Sequence, residues 1–182
     1  MAQNNRKRSA FVTGATQGLG AALALRLAQD GYDVAVSGTN INNLDDTVAR
    51  MKAAGARTFA VPLDLRSQES TEQAMAQVVS EFGELDVLVN NAGVTTRSLA
   101  VDVTREEWAS VMDINLTGTF FISQQMGRHL IAQKREGCIV NIGSTHGLIG
   151  FAQRSVYGIS KAGISHMTRM LAIEWAEHHI RV

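Results

Sequence analysis

Five short, largely apolar runs, at residues 9–13, 33–37, 57–61, 85–89 and 138–142, punctuate the chain. Between them lie longer stretches in which apolar residues return every three or four positions. Short continuous apolar runs read as parallel strands buried on both faces, and the longer period reads as helix. The pattern predicts helices over 21–29, 41–54 and 67–82, a mostly helical 104–133, and a long helix over 155–179. Leu19, Leu23 and Leu27 mark the buried stripe of the first helix. Gly55 and Gly83 stop the second and third, Ser67 is placed to cap the third, and Pro62 ends the third strand. Thr104-Arg105-Glu106-Glu107 has the form of a capping box. Asn115 and Gly118 interrupt the periodicity that follows, so 104–133 is either two helices or one bent helix. Strands alternating with helices predict an α/β fold, a doubly wound parallel sheet covered on both faces.

The length of 182 residues and a hydrophobic content of 45% suit one domain with a sizeable core, and no repeat or linker divides it. Seventeen basic residues balance 17 acidic ones, which argues against a nucleic-acid or membrane-surface partner. No apolar run reaches the ~18 residues of a membrane span. The polar start Met1 to Arg8 lacks the apolar core of a signal peptide, and Arg6-Lys7-Arg8 is read as solubilising the approach to the first strand. Cys138 is the single cysteine, so no intrachain disulfide forms, and its apolar run places it as a small buried hydrophobe. These features predict a cytoplasmic protein.

Candidate chemistry centres on residues 144–161. Tyr157 and Lys161 are four apart, which places them on one helix face. A phenol alone is a poor base at neutral pH, and an ammonium held beside it favours the phenolate. Such a pair can pass a proton to or from an alcohol or carbonyl oxygen. Ser144 follows the strand at 138–142, at the strand's carboxyl end, where open α/β sheets bind ligands. The bland alternative is a solvated Tyr/Lys pair. A second motif weighs against it: Gly14-Ala15-Thr16-Gln17-Gly18-Leu19-Gly20 follows the first strand and opens the first helix. Strand, glycine turn and helix make the context of a phosphate-cradling loop, in which a helix N-terminus attracts the anion. The spacing is Gly-x3-Gly-x-Gly rather than the commoner Gly-x-Gly-x2-Gly.

Together these residues resemble the short-chain dehydrogenase/reductase family from residue 9 to residue 182. The glycine loop, Asn90-Asn91-Ala92-Gly93 after the fourth strand, and Ser144-x12-Tyr157-x3-Lys161 match family motifs, and Asn115 falls where the family's fourth catalytic residue lies. The resemblance implies a single Rossmann-type NAD(P)-binding domain over 1–182. It implies that Tyr157 is the general acid in reduction and the base in oxidation, helped by Lys161, with Ser144 hydrogen-bonding the substrate oxygen. Asn115 would position a water linking Lys161 to solvent; alternatively its side chain bonds backbone at a helix bend. The implied cofactor-binding set is Gly14, Thr16, Gln17, Gly18, Leu19, Gly20, Ser37, Thr39, Asp64, Leu65, Asn91, Ala92 and Gly93, with Tyr157 and Lys161 at the nicotinamide ribose. Asp64 would contact adenine or cap the following helix. Asn90 would tie its loop to the sheet, and Ser144 is preferred to the neighbouring Thr145 on spacing. No metal ligand is assigned.

One departure from the family pattern bears on the cofactor. The turn Ser37-Gly38-Thr39-Asn40 carries no acid to bind the ribose hydroxyls of NAD, but also none of the basic residues used for NADP: position 17 is Gln and position 39 is Thr. The expectation leans to NADP over NAD. Arg97 and Arg154 are candidates for a substrate carboxylate or phosphate. The expected substrate is a keto or alcohol compound of the 3-oxoacyl-thioester type, with gluconate-type oxidoreduction second, and a non-catalytic NAD(P) sensor as the alternative of another class. Long apolar-rich helices at 104–133 and 155–179 predict a homo-oligomer, a tetramer by the resemblance. The chain stops at His179-Ile180-Arg181-Val182, where a sixth strand begins and is expected to end before it can pair. Family members continue through a Pro-Gly turn, a substrate lid and a seventh strand, so residues 1–182 are expected to be truncated, and insoluble or inactive by themselves.

Overall fold

The computed structural model describes residues 6–182; the reading of the polar start therefore rests in part on residues 1–5, outside the described ones. Six parallel strands form one sheet in the order β3-β2-β1-β4-β5-β6. They are β1 Ser9–Val12, β2 Asp33–Gly38, β3 Thr58–Pro62, β4 Val87–Asn90, β5 Gly137–Asn141 and β6 Ile180–Arg181. The helices are α1 Gly18–Gln29, α2 Asp45–Ala53, α3 Gln68–Phe82, α4 Arg105–Met112, α5 Thr119–Ala132 and α6 Ser155–Glu174. Phe11, Leu88 and Ile139 point to one face, where α3, α5 and α6 bury Val78, Met126 and Leu171 against them. Val12, Val36 and Val89 point to the other, under Ala24 and Ala28 of α1 and Met51 of α2. The strand order reverses between β1 and β4, and there the carboxyl ends of the strands open a crevice.

Several expectations need correction. The buried stripe of α1 is Gly20, Ala21, Ala24 and Ala28. Leu19 is 55% exposed, and Leu23 and Leu27 only flank the core. Small residues let this helix lie close on the sheet, which pushes the leucines to its sides. Residues 104–133 form two α-helices, α4 and α5, and the interruption expected at Asn115 and Gly118 is a six-residue π-helical stretch, Asp113–Gly118, that joins them. Gly118 faces the Leu65 carbonyl so closely that a Cβ there would overlap it. The last helix ends at Glu174, because Trp175 turns in against Gly127 and the chain passes through a 3-10 turn, Ala176–His178, into β6. The sixth strand does pair, Gly137 with Ile180 and Cys138 with Arg181.

The basic cluster does more than solubilise. Arg6 and Arg135 both pair with Glu84 and Asp86, Lys7 reaches Asp33 at 2.8 Å, and Arg8 lies 4.6 Å over the Tyr32 ring. These contacts clasp the amino ends of β1, β2 and β4. Burial alone would raise Asp86, but the Arg6 hydrogen bond, the Ser9 N–H and the two guanidinium charges outweigh it and hold its carboxyl below the ordinary range. Cys138 is only half-buried, because it shares with the 41% exposed Val140 a face of β5 that the described helices leave open. No helix among the described residues is long and apolar enough to cross a membrane.

Candidate active site

The loop after β1 is tied to the loop after β4 by side chains of both. Thr13 Oγ1 accepts from the N–H groups of Asn91 and Ala92, each at 3.1 Å. Asn91 Nδ2 donates back to the carbonyls of Thr13 and Gly14, at 3.1 and 2.9 Å. Gly14 has a φ of 65°, and a Cβ there would lie 2.7 Å from the Ala92 Cα. Gly18 has a φ of 59° and open space around it, so its backbone conformation is what calls for glycine. Gln17 precedes α1 without a side-chain cap, so the first-turn N–H groups of that helix receive none from it.

These loops form one wall of a groove of about 420 Å³. Of the expected cofactor residues, Gly14, Thr16, Gln17, Ser37, Thr39, Asp64, Leu65, Asn91, Ala92 and Gly93 line it. Gly18 and Leu19 begin α1 outside that lining, and Gly20 is packed beneath Asn91 and the Gly14 carbonyl. In the same lining, the Ser37 hydroxyl is buried with no hydrogen-bond partner among the described residues. Asp64 does not cap α3: Ser67 does, accepting from Ser70 N at 3.1 Å. Asp64 instead holds Arg66 in a two-pronged pair at 2.9 and 2.7 Å, and the hydrogen bonds from Arg66 lower its carboxyl pKa against slight burial. Arg66 is the one cation among the residues lining the groove, and sequence reading passed over it. The signal was there: an arginine two residues past a groove aspartate can fold back on it.

Tyr157 and Lys161 stand one turn apart near the start of α6. Lys161 is 5% exposed, its Nζ donates to the Ile142 carbonyl at 2.8 Å, and it lies 5.8 Å from the Tyr157 ring centroid. Burial lowers its pKa. Ser144 follows β5 and caps the 3-10 turn Thr145–Gly147, its hydroxyl accepting from His146 N at 3.2 Å. Thr145 is exposed, whereas Ser144 is half-buried.

Asn115 is fully buried in the π-helical stretch. Its Oδ1 accepts from Val94 N at 2.8 Å, and its Nδ2 donates to Val94 O at 2.9 Å and Ser160 Oγ at 3.0 Å. Both amide hydrogens are therefore spent on protein. Ser160 in turn donates to the Tyr157 carbonyl at 2.7 Å. Gly93 leaves room here, since a Cβ on it would sit 3.2 Å from Asn115 Oδ1 and 3.6 Å from Lys161 Nζ. Asn90 donates to Ser123 and Asn141, both at 2.8 Å, tying β4 to α5 and β5. Neither arginine singled out for a substrate anion is idle. Arg97 donates to Gln153 at 2.8 Å, and Arg154 to Thr95 and the Thr96 carbonyl, each at 2.8 Å. They link the loop after β4 to the loop before α6.

A family model described as short chain dehydrogenase matches residues 8–182. The chain is 39% identical over 173 residues to 2-dehydro-3-deoxy-D-gluconate 5-dehydrogenase of Escherichia coli (strain K12), covering 95% of this chain and 68% of that protein. It is 38% identical over 176 residues to the 3-oxoacyl-acyl-carrier-protein reductase FabG of Staphylococcus aureus (strain Mu50 / ATCC 700699), covering 96% and 71% respectively. Among solved structures, a short-chain type dehydrogenase/reductase from Mycobacterium marinum superposes with a TM-score of 0.95 at 31% identity, over 97% of this chain and 72% of that one.

Proposed function

Because the chain belongs to the short-chain dehydrogenase family and is an NAD(P)-dependent oxidoreductase acting on CH–OH and C=O groups, we propose that Ser144, Tyr157 and Lys161 carry its chemistry. What supports this reading is that Ser144 follows β5, that Lys161 Nζ donates to the Ile142 carbonyl at the end of the same strand, and that Tyr157 lies one helical turn from Lys161. The groove suits a dinucleotide: it is walled by the loops after β1 and β4 and by the turn after β2, and the α1 N-terminus beside it suits a pyrophosphate. When bound there, the cofactor supplies or accepts the hydride at the substrate carbon.

In reduction, the Tyr157 hydroxyl gives its proton to the carbonyl oxygen as the carbon takes the hydride; in oxidation it takes the alcohol proton. The buried Lys161 ammonium favours the phenolate that proton transfer leaves. Ser144 donates a hydrogen bond to the substrate oxygen as charge grows on it. Asn115 acts as a brace: it holds the Val94 loop against α6, and so sets Gly93, Tyr157 and Lys161 relative to one another.

For the cofactor we favour NADP(H). No carboxylate stands at 37–40 to repel a 2′-phosphate. For the substrate we favour a 3-oxoacyl thioester or similar ketone over a sugar acid. Leu148, Ile149 and Phe151 are exposed in the loop that follows Ser144, while Arg97 and Arg154 are engaged within the protein. The apolar side chains Trp108, Phe121, Ile159, Met170 and Ile173, exposed on α4 to α6, support a homo-oligomer built on these helices. Turnover of acetoacetyl-CoA and of keto-gluconates with NADPH and NADH tests the substrate and cofactor readings together. Tyr157→Phe tests the chemistry: turnover should fall by roughly 10²–10⁴-fold with cofactor binding retained. Near-native turnover of that variant would remove Tyr157 as the proton donor.

A further inference from the structure

We propose that His146 is a positioning residue that aims the Ser144 hydroxyl at the substrate oxygen. The proposal rests on the reading of Ser144 as a donor to that oxygen. A hydroxyl has one hydrogen and two acceptor lone pairs. The backbone N–H of His146 already occupies one lone pair of Ser144, at 3.2 Å. The His146 ring brings Nδ1 to 3.4 Å from the same oxygen. With the proton on Nδ1, the imidazole donates to the second lone pair. Ser144 then has only its own hydrogen left to offer, and the substrate oxygen is the acceptor it meets. The opposite tautomer would draw the Ser144 hydrogen onto Nδ1 and leave the substrate oxygen facing lone pairs. The contact is long, as catalytic hydrogen bonds often are before substrate closes them.

The ring is held to this task by two aromatic neighbours. It stacks on Phe151, with centroids 4.4 Å apart and planes 28° from parallel. It also meets the edge of Tyr157 at 5.6 Å and 71°. One imidazole thus touches both the hydroxyl that would bind the substrate oxygen and the phenol that would protonate it. Offset-stacked and edge-to-face pairs of this kind restrict ring rotation, so the Nδ1 edge stays on the Ser144 side.

Five measurements separate this role from simple packing. His146→Phe keeps a planar ring on Phe151 and removes the nitrogen. With acetoacetyl-CoA and NADPH, its kcat should fall about tenfold, less than the roughly 10²–10³-fold loss expected for Ser144→Ala. NADPH affinity, followed by fluorescence titration, should not move. His146→Asn, whose side-chain amide can donate from near the Nδ1 position, should recover most of the rate. In the Ser144→Ala background, His146→Phe should cost nothing further. In the wild-type protein, ¹⁵N–¹H correlation of His146 should show neutral imidazole protonated at Nδ1. Full rate in His146→Phe, an undiminished loss in the Ser144→Ala background, or protonation at Nε2 would each overturn the proposal while leaving Ser144 in place. Full rate in Ser144→Ala would remove the reading of Ser144 and this proposal with it.

Discussion

Replacing Asn115 by alanine should damage stability and turnover together. The side chain is fully buried and makes three hydrogen bonds, two to the Val94 backbone at 2.8 and 2.9 Å and one to Ser160 at 3.0 Å. A typical intramolecular hydrogen bond contributes about 1 kcal/mol net, so the three together are worth about 3 kcal/mol. For a chain of this size, each kcal/mol moves the melting temperature by roughly 2–4 °C, so Asn115→Ala should melt about 6–12 °C lower. Asn115→Asp sharpens the test. A carboxylate still accepts from Val94 N, but it sets a second acceptor against the Val94 carbonyl and against Ser160, whose own hydrogen is given to Tyr157 O. The aspartate variant should therefore melt no higher than the alanine variant. Thermal unfolding by circular dichroism supplies the stability data, and kcat per folded molecule supplies the rest, since a freed Val94 loop unsettles Gly93, Tyr157 and Lys161. A drop of less than about 2 °C for Asn115→Ala, or an aspartate variant close to wild type, would refute the brace.

Lys161→Met should abolish most turnover and also change how stability depends on pH. An unfolded lysine titrates near 10.4, and burial lowers the folded value. Between the two, the unfolded chain binds more protons, so wild-type stability rises with pH across that window and is penalised below it. Urea unfolding between pH 7 and 10 should show the wild type gaining on the variant as pH rises; a constant difference would contradict a buried ammonium. Thr39→Asp places a carboxylate in the wall near Ser37 and should shift the ratio of kcat/KM towards NADH, and an unchanged ratio would show that this turn does not face the 2′ position. Gly127→Ala would put a methyl group 2.9 Å from two Trp175 ring carbons. It should cost about 1–3 kcal/mol of overpacking, with a shift in tryptophan emission as the ring moves, and a melt identical to wild type would show that the ring gives way freely.

Local rules carried the architecture. Short apolar runs separated by periodic stretches are enough to place five of the strands and their helices, because the period of burial is written in each segment; that Ile180–Arg181 pairs as a sixth was not legible. Ser67 as the α3 cap and Thr104 as the α4 cap were legible for the same reason, each acting within three residues of itself. The Gly14 to Gly20 loop and the Ser144, Tyr157, Lys161 spacing were legible because their geometry depends on one turn or one strand end. What escaped the sequence involves partners far apart along the chain. Arg6 meets Asp86 across 80 positions, Asn115 meets Ser160 across 45, and Arg97 meets Gln153 across 56. Each of these could equally have been a solvated surface residue, and only the packing of the sheet decides that Arg97 is tied down and Asn115 has no amide hydrogen left over. The leucines of α1 were misplaced for a related reason: periodicity says that a helix has an apolar side, but the closeness of the sheet chooses alanine over leucine to face it. His146 lay in plain view two residues beyond Ser144, yet the sequence could not say that its ring would fold back onto the hydroxyl. Phe151 and Tyr157, brought together by the turn between β5 and α6, fix it there.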